Sequence, residues 1–245
     1  GFTRPVTNPQ FVVMCDNLPK SDYFFDEQKQ VLNIRNLCHE VGRHFFRVYA
    51  VDNDTLFNDI LIPLDNGTPV NNPNLLHRYD DNAQVLYSLM IDRFNNGNTD
   101  NDWKINSPEV LDIVDYQGGD LAGITEKINE GFFDSLGITT LWISPITQNP
   151  WTAWGHYEFK NGNKYDDSQN SEFKIHNYTK YTGYHGYWPI LGTAIDKRFG
   201  TPDELTTLLS TAHAHEMNVI LDYVANHMHI ESPTYVQHPD WHTDS

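Results

Sequence analysis

Apolar positions along this 245-residue chain follow two different spacings. In the first part they come in short β-branched and aromatic runs: QFVVMCD (10–16), VLNIRNL (31–37), HFFRVYAVD (44–52) and DILIPL (59–64). Asn, Asp, Gly and Pro separate them, the pattern of strands joined by turns. In the third run Phe46, Val48 and Ala50 alternate with Phe45, Arg47, Tyr49 and Val51. A period of two puts one set inward and the other outward. From Val85 the spacing changes. VLYSLMI (85–91), ITTLWISPI (138–146) and NVILDYV (218–224) are continuous apolar runs, read as strands buried on both faces of a parallel sheet. Between them, Ile124, Ile128, Phe132, Phe133 and Leu136 recur at helical spacing over 121–137, with Gly137 as the C-cap. A second helix over 201–217 opens with Thr201, Pro202 and Glu204, a capping box.

These patterns predict two parts. Residues 1–82 read as a β-sandwich module similar to the last strands of an immunoglobulin-like fold, closing in a Pro- and Asn-rich linker over 62–82. Residues 83–245 read as strand–helix–strand–helix–strand, hence right-handed parallel units. The 145–202 connection is too long for structural need alone, so function is expected there. Asp92, Pro145 and Asp222 each follow a strand, on the edge where loops of parallel α/β folds build their sites.

A formal net charge of -17 argues against a nucleic-acid or anionic-membrane partner. No apolar run reaches the roughly 18 residues of a membrane span. With 13% aromatic and 20% charged residues, the composition fits a surface built for neutral polar ligands as well as it fits an ordinary core. Cys15 and Cys38 either pair in an exported protein or lie buried and inert, and their spacing does not choose.

Four stretches carry the chemistry: YSLMIDRFNNGNTDND (87–102), GGDLAGI (118–124), GYHGYWPI (183–190) with FGT (199–201), and LDYVANH (221–227). In this order and spacing they resemble the α-amylase family of glycoside hydrolases and transglycosylases, with motifs like those of neopullulanases and cyclodextrin glycosyltransferases. The resemblance implies the first three βα units of a (β/α)8 TIM barrel, an incomplete barrel that ends at the start of the excursion after strand three. A sugar ring has an apolar C–H face and a rim of hydroxyls, which suit an aromatic ring and an imidazole. The resemblance assigns Tyr184, His185, Tyr187 and Trp188 to a sugar subsite, His227 to a substrate hydroxyl, and Asp222 to anchoring polar groups at the strand end. An aromatic cluster with one satisfied histidine is the plainer alternative for GYHGYW.

The resemblance also implies a structural calcium, held by Asn96, Asn98, Asn101, Asp102, the carbonyl of Gly118, and Asp120. Calcium accepts irregular loops rich in oxygen ligands. Asn226 is the candidate for a second calcium, and a turn capped by short polar side chains is the alternative at 222–226. Zinc at His227 and His229, or at His213 and His215, lacks any accompanying ligand frame. A retaining glycosidase needs two carboxyl groups about 5–5.5 Å apart. In the family these follow strands four and five, so the nucleophile and acid/base are expected beyond Ser245, and this chain alone is expected to be inactive. The implied partners are an α-glucan oligosaccharide or polysaccharide and the remainder of the same enzyme chain, in an extracellular or periplasmic setting. The reading from another class is a non-catalytic carbohydrate-binding protein that keeps the sugar-binding edge.

Overall fold

The computed structural model describes residues 5–35, 38, 41–53, 55–57, 59–154 and 180–242. It divides into two units, Gly1–Val85 and Leu86–Ser245. In the first unit the strands are β1 (Gln10–Cys15), β2 (Leu18–Lys20), β3 (Tyr23–Asp26), β4 (Val31–Ile34), β5 (Arg43–Asp52), β6 (Thr55–Leu56), β7 (Ile60–Asp65) and β8 (Thr68–Pro69). Six form one antiparallel sheet, ordered β2-β1-β5-β7-β8 with β6 on β5, while β3 and β4 form a separate hairpin. The alternation read in 44–52 is real: Phe46, Val48 and Ala50 are buried and their neighbours less so. Val13, Phe46, Val48 and Leu64 make the core of this unit, and Tyr23, Leu32 and Ile34 of the hairpin pack against it. Cys15 and Cys38 form a disulfide with Cα atoms 6.3 Å apart.

Two expectations for this unit change. The strand read over 31–37 is found over Val31–Ile34, and Asn36 and Leu37 lie outside the described residues. The stretch read as a linker from residue 62 instead begins as the second half of β7 and folds back into β8. Asn66 and Gly67 turn the chain, both at positive φ (49° and 76°), the backbone a two-residue hairpin requires. Further along, Asp80 is 1% exposed and takes two hydrogen bonds from the Arg43 guanidinium, at 2.9 and 2.8 Å, so it is anchored rather than loose.

The second unit runs β9 (Leu86–Leu89), α1 (Ile91–Phe94), α2 (Leu121–Asn129), α3 (Phe132–Ser135), β10 (Thr140–Ile143), β11 (Thr147–Gln148), β12 (Leu191–Ile195), α4 (Pro202–Ala214), β13 (Asn218–Leu221) and α5 (Pro233–Gln237). β9, β10 and β13 form a parallel sheet with β10 in the middle. The register sets Tyr87, Leu141 and Val219 on one face with Leu89, Ile143 and Leu221; Ser88, Trp142 and Ile220 share the other. The first face meets α2, α3 and α4 through Ile124, Ile128, Phe133, Leu208 and Ala212, with Met217 of the turn after α4 beside them. Burial on both faces was expected and is not found. Leu86, Trp142 and Ile220 are 46%, 41% and 44% exposed, because no described element covers their face.

One long helix was expected over 121–137, and two are found. Gly131 sits at φ 72°, a left-handed conformation that ends α2 and starts α3. The capping box of α4 is present as read: Thr201 Oγ1 accepts from the Glu204 N–H while Glu204 accepts from the Thr201 N–H. Asp120 caps α2 by accepting from the Gly123 N–H at 2.6 Å. Residues 155–179 of the long connection lie outside the described residues. Its two described ends are tied together by the β11–β12 ribbon.

Candidate functional site

Parallel strands end together, so the segments following β9, β10 and β13 share one edge. Tyr187 is the hub of what gathers there. Its hydroxyl donates to Asp222 Oδ2 at 2.5 Å. That bond and the carboxylate's charge push the phenol up to about 12. His227 Nε2 lies 2.9 Å from the Tyr187 carbonyl oxygen. A carbonyl only accepts, so His227 carries its proton on Nε2. On the other side, the Tyr187 N–H donates to His185 Nδ1 at 3.0 Å, and the two rings lie nearly parallel with centroids 5.9 Å apart. His185 is therefore a neutral imidazole with its remaining N–H on Nε2, the form that donates to a ligand oxygen. Tyr184 and Trp188 meet His185 edge-on, at centroid distances of 5.3 and 5.0 Å.

Burial alone pushes His185 down from 6.5 to about 4. Between those values the unfolded chain binds the extra proton, so the contribution of the neutral ring is complete above pH 6.5 and is lost as pH falls toward 4. Replacing His185 with Gln should remove roughly 2 kcal/mol of the stability lost over that interval, allowing for the solvent the ring still meets. Urea unfolding at several pH values measures it, and identical pH profiles for the two proteins would refute the assignment.

The turn that carries these rings is braced from beneath. Gly186 adopts φ 86°, and a Cβ there would sit 2.3 Å from the Pro145 carbonyl oxygen. Asn149, fully buried, accepts the Trp188 N–H at 2.9 Å and donates its own N–H to Asp196 at 2.9 Å. Asp196 in turn holds Arg198 with both groups essentially out of solvent, Nη2 to Oδ2 2.7 Å. Arg93 stacks on Tyr184 at 3.9 Å and pairs with buried Asp92 at 3.1 Å. Asp92 also accepts the N–H groups of Gln117 and Gly118. Its burial outweighs those donors and raises it to about 6. Glu231 Oε1 accepts from Thr152 and from the Trp154 indole, while His229 packs against Trp154 and Trp188.

The structure thus gathers the six residues expected to bind sugar around Tyr187 and Asp222. The sequence reading missed Asn149, Asp196, Arg198, Trp154 and Glu231. Of these only WTAW (151–154), two tryptophans within four residues of the long 145–202 connection, carried a visible signal.

The calcium candidates cluster in two linked groups. Asn96 Nδ2 donates to both oxygens of Asp102, and a Cβ on Gly118 would meet those two side chains at 2.6 and 2.3 Å. Asp120 accepts the N–H groups of Gly97 and Asn98 and lies 3.4 Å from Asn101 Nδ2. Asn101 Oδ1 is buried without a hydrogen-bond partner. An orphaned oxygen beside carboxylates fits a hard cation, and rotation of the Asn96 amide would turn its oxygen inward too. Asn98 departs from the expected set, since its oxygen caps the Asp100 N–H and its nitrogen reaches Glu204. Asn226 is exposed and makes no side-chain hydrogen bond among the described residues. Among the described residues, the three-ligand His, Cys, Asp and Glu group is Cys15, Asp16 and His44, and Cys15 there is in the disulfide. His215 is the C-cap of α4 and pairs with Asp134 at 2.8 Å, away from His227.

No described helix is long and apolar enough to cross a membrane. Over 159 residues the chain is 33% identical to a cyclomaltodextrin glucanotransferase of Bacillus sp. (strain 1-1), covering 64% of this chain and 19% of that one. Over 148 residues it is 30% identical to an alpha-amylase of Niallia circulans, covering 59% and 24%. A crystal structure of an Anoxybacillus alpha-amylase aligns at 31% identity and a TM-score of 0.45, covering 64% of this chain and 27% of that one. The chain thus spans about a fifth of the length of the curated relatives it matches. Residues 88–243 match the family described as alpha amylase, catalytic domain. That match takes in more than half of the sequence, and the chain belongs to the alpha-amylase family.

Proposed function

We propose that this chain is the sugar-binding part of an α-glucan-active enzyme, a retaining glycoside hydrolase or transglycosylase. Its second unit is then the opening three βα units of a (β/α)8 barrel, preceded by an immunoglobulin-like sandwich module. The observation that carries the reading is the hub at Tyr187, with a neutral His185, a His227 of defined tautomer and a carboxylate-anchored phenol in one group. His185 donates to a sugar hydroxyl, and the Tyr187 oxygen, whose O–H donates to Asp222, accepts from one. His227 fixes the Tyr187 backbone in the free protein and turns to a substrate hydroxyl when the sugar binds.

Neither Asp222 nor Asp92, the carboxylates at the ends of β13 and β9, is placed to act as nucleophile or proton donor. Asp222 is committed to Tyr187, and Asp92 is buried beneath backbone amides. The reacting pair is therefore supplied by other residues of the parent enzyme, and this polypeptide by itself binds without turnover. In the complete enzyme, His227→Ala should lower kcat/KM by roughly ten- to a hundredfold, the loss of one or two hydrogen bonds that strengthen in the transition state. Unchanged kinetics would return His227 to a purely structural role. The same commitment of Asp222 and Asp92 favours a second reading, a non-catalytic carbohydrate-binding protein. Glucan binding by a full-length protein that releases no reducing sugar would select it.

The loop of Asn96, Asn101, Asp102, Gly118 and Asp120 would hold a calcium ion, which when bound supplies rigidity between β9 and α2. Chelation should then lower the melting temperature, because a ligand bound only by the folded state stabilises it. An unshifted melt after chelation, in protein first equilibrated with calcium, would remove the ion from the account. The disulfide supports an extracellular or periplasmic setting, where such bonds persist.

A further inference from the structure

Two tryptophans lie outside the Tyr187 hub and are left half open to solvent. Trp103 and Trp151 are each 44% exposed, and their rings meet at 5.6 Å between centroids with a tilt of 46°. The Arg198 guanidinium lies 4.3 Å over the Trp151 ring and 4.0 Å over Tyr116, and is itself fixed by buried Asp196. Trp103 also forms one wall of an open cleft of about 710 Å³, whose polar lining includes Asn98, Asp100, Thr193, Lys197 and Glu204. Lys197 and Asp100 enter no ion pair among the described residues, so both are available to a ligand.

We infer that the Trp103–Trp151 step and the cleft beside it form a second glucan-binding surface, separate from the Tyr187 hub. Large apolar rings held rigid at a surface lose little conformational freedom when a ligand stacks on them. The ligand must offer an apolar face to the indoles and hydroxyls to amide, carboxylate and ammonium groups within one ring's reach. A pyranose meets that description. A polyanion does not, given two acidic side chains in the cleft against one lysine and a net charge of -17. The two surfaces offer different side chains to a ligand, although both rest on Asp196 and Arg198, so one glucan chain can be retained at the step while another segment occupies the hub. This inference rests on the α-glucan reading above for the identity of the sugar.

Affinity electrophoresis in gels containing soluble starch tests it, with thermal melts confirming that each variant is folded. The wild-type protein should be retarded, and Trp103→Ala with Trp151→Ala should weaken that retardation at least fivefold, whereas Tyr187→Phe with His227→Ala should retain most of it. Retardation undiminished in the tryptophan variant would overturn the second surface and leave the α-glucan reading standing. A wild-type protein retarded by neither starch, glycogen nor pullulan would overturn both. Because Trp151 covers Arg198, its replacement could unfold the chain. The indole N–H resonances of the wild-type protein, titrated with maltoheptaose, provide the independent measurement. Shifts at Trp103 and Trp151 that persist in the Tyr187→Phe His227→Ala protein support the surface, and their absence overturns it.

Discussion

Asp196→Ala should lower the free energy of unfolding by about 3–5 kcal/mol, the scale of breaking a buried ion pair by removing one partner. Arg198 is 2% exposed and lies between two aromatic rings, so removing its partner leaves a guanidinium charge buried with nothing to neutralise it. Three further bonds of the carboxylate go with it: those from the Asn149 N–H, the Arg198 N–H and Arg198 Nε. Removing both charges is a milder change. The Asp196→Ala Arg198→Met pair should recover much of the loss, because a buried pair costs nearly as much desolvation as its attraction returns. Urea unfolding of the three proteins measures this. A double variant as unstable as Asp196→Ala alone would mean that the ion pair matters chiefly through its hydrogen bonds to the Asn149 segment. Since Asn149 also holds the Trp188 N–H, the single variant should disturb sugar binding as well.

Gly186→Ala is expected to cost about 3 kcal/mol and to abolish measurable sugar binding at the hub. A left-handed backbone costs a residue with a side chain roughly 1–2 kcal/mol. The new methyl would also lie 2.3 Å from the Pro145 carbonyl, where a backbone group rather than a mobile side chain must move. His185 and Tyr187 flank Gly186, so the shift that relieves the clash separates the imidazole from the Tyr187 N–H. Gly192→Ala is the control, since a Cβ there meets nothing within 4 Å. Equal stabilities for the two variants would show that the turn relaxes freely. Tight packing of Gly186 on Pro145 would then be no condition for the site.

The sequence made the strand ends legible because their chemistry is local. A polar residue following an apolar run, as at Asp92 and Asp222, marks a strand emerging into a loop, and the Thr201–Glu204 capping box is complete within four residues. Asn66-Gly67 is equally local and a strong hairpin signal, but the prolines and asparagines around it have the composition of a linker and mask it. What stayed hidden was assembled over distance. Asn149 reaches Asp196 across 47 residues and Trp188 across 39, and neither spacing has a period to betray it. The break between α2 and α3 escaped for a different reason. Phe132 and Phe133 continue the apolar stripe of α2 well enough that the hydrophobic pattern passes straight through Gly131.

The contact of Glu231 with Thr152 and Trp154 has a kinetic meaning as well as a geometric one. It joins positions 79 and 77 residues apart, so the chain must give up a large loop entropy before this small polar clamp forms. The parallel sheet of β9, β10 and β13 has to be in place first, since it brings the two strand-end segments within reach. Such a contact is expected to form after the transition state of folding, so its φ-value should be near zero. Weakening it shortens the lifetime of the native state while leaving the rate of reaching that state almost untouched. If the rim contact is lost early in unfolding, any ligand that binds across it in the native state should slow that loss.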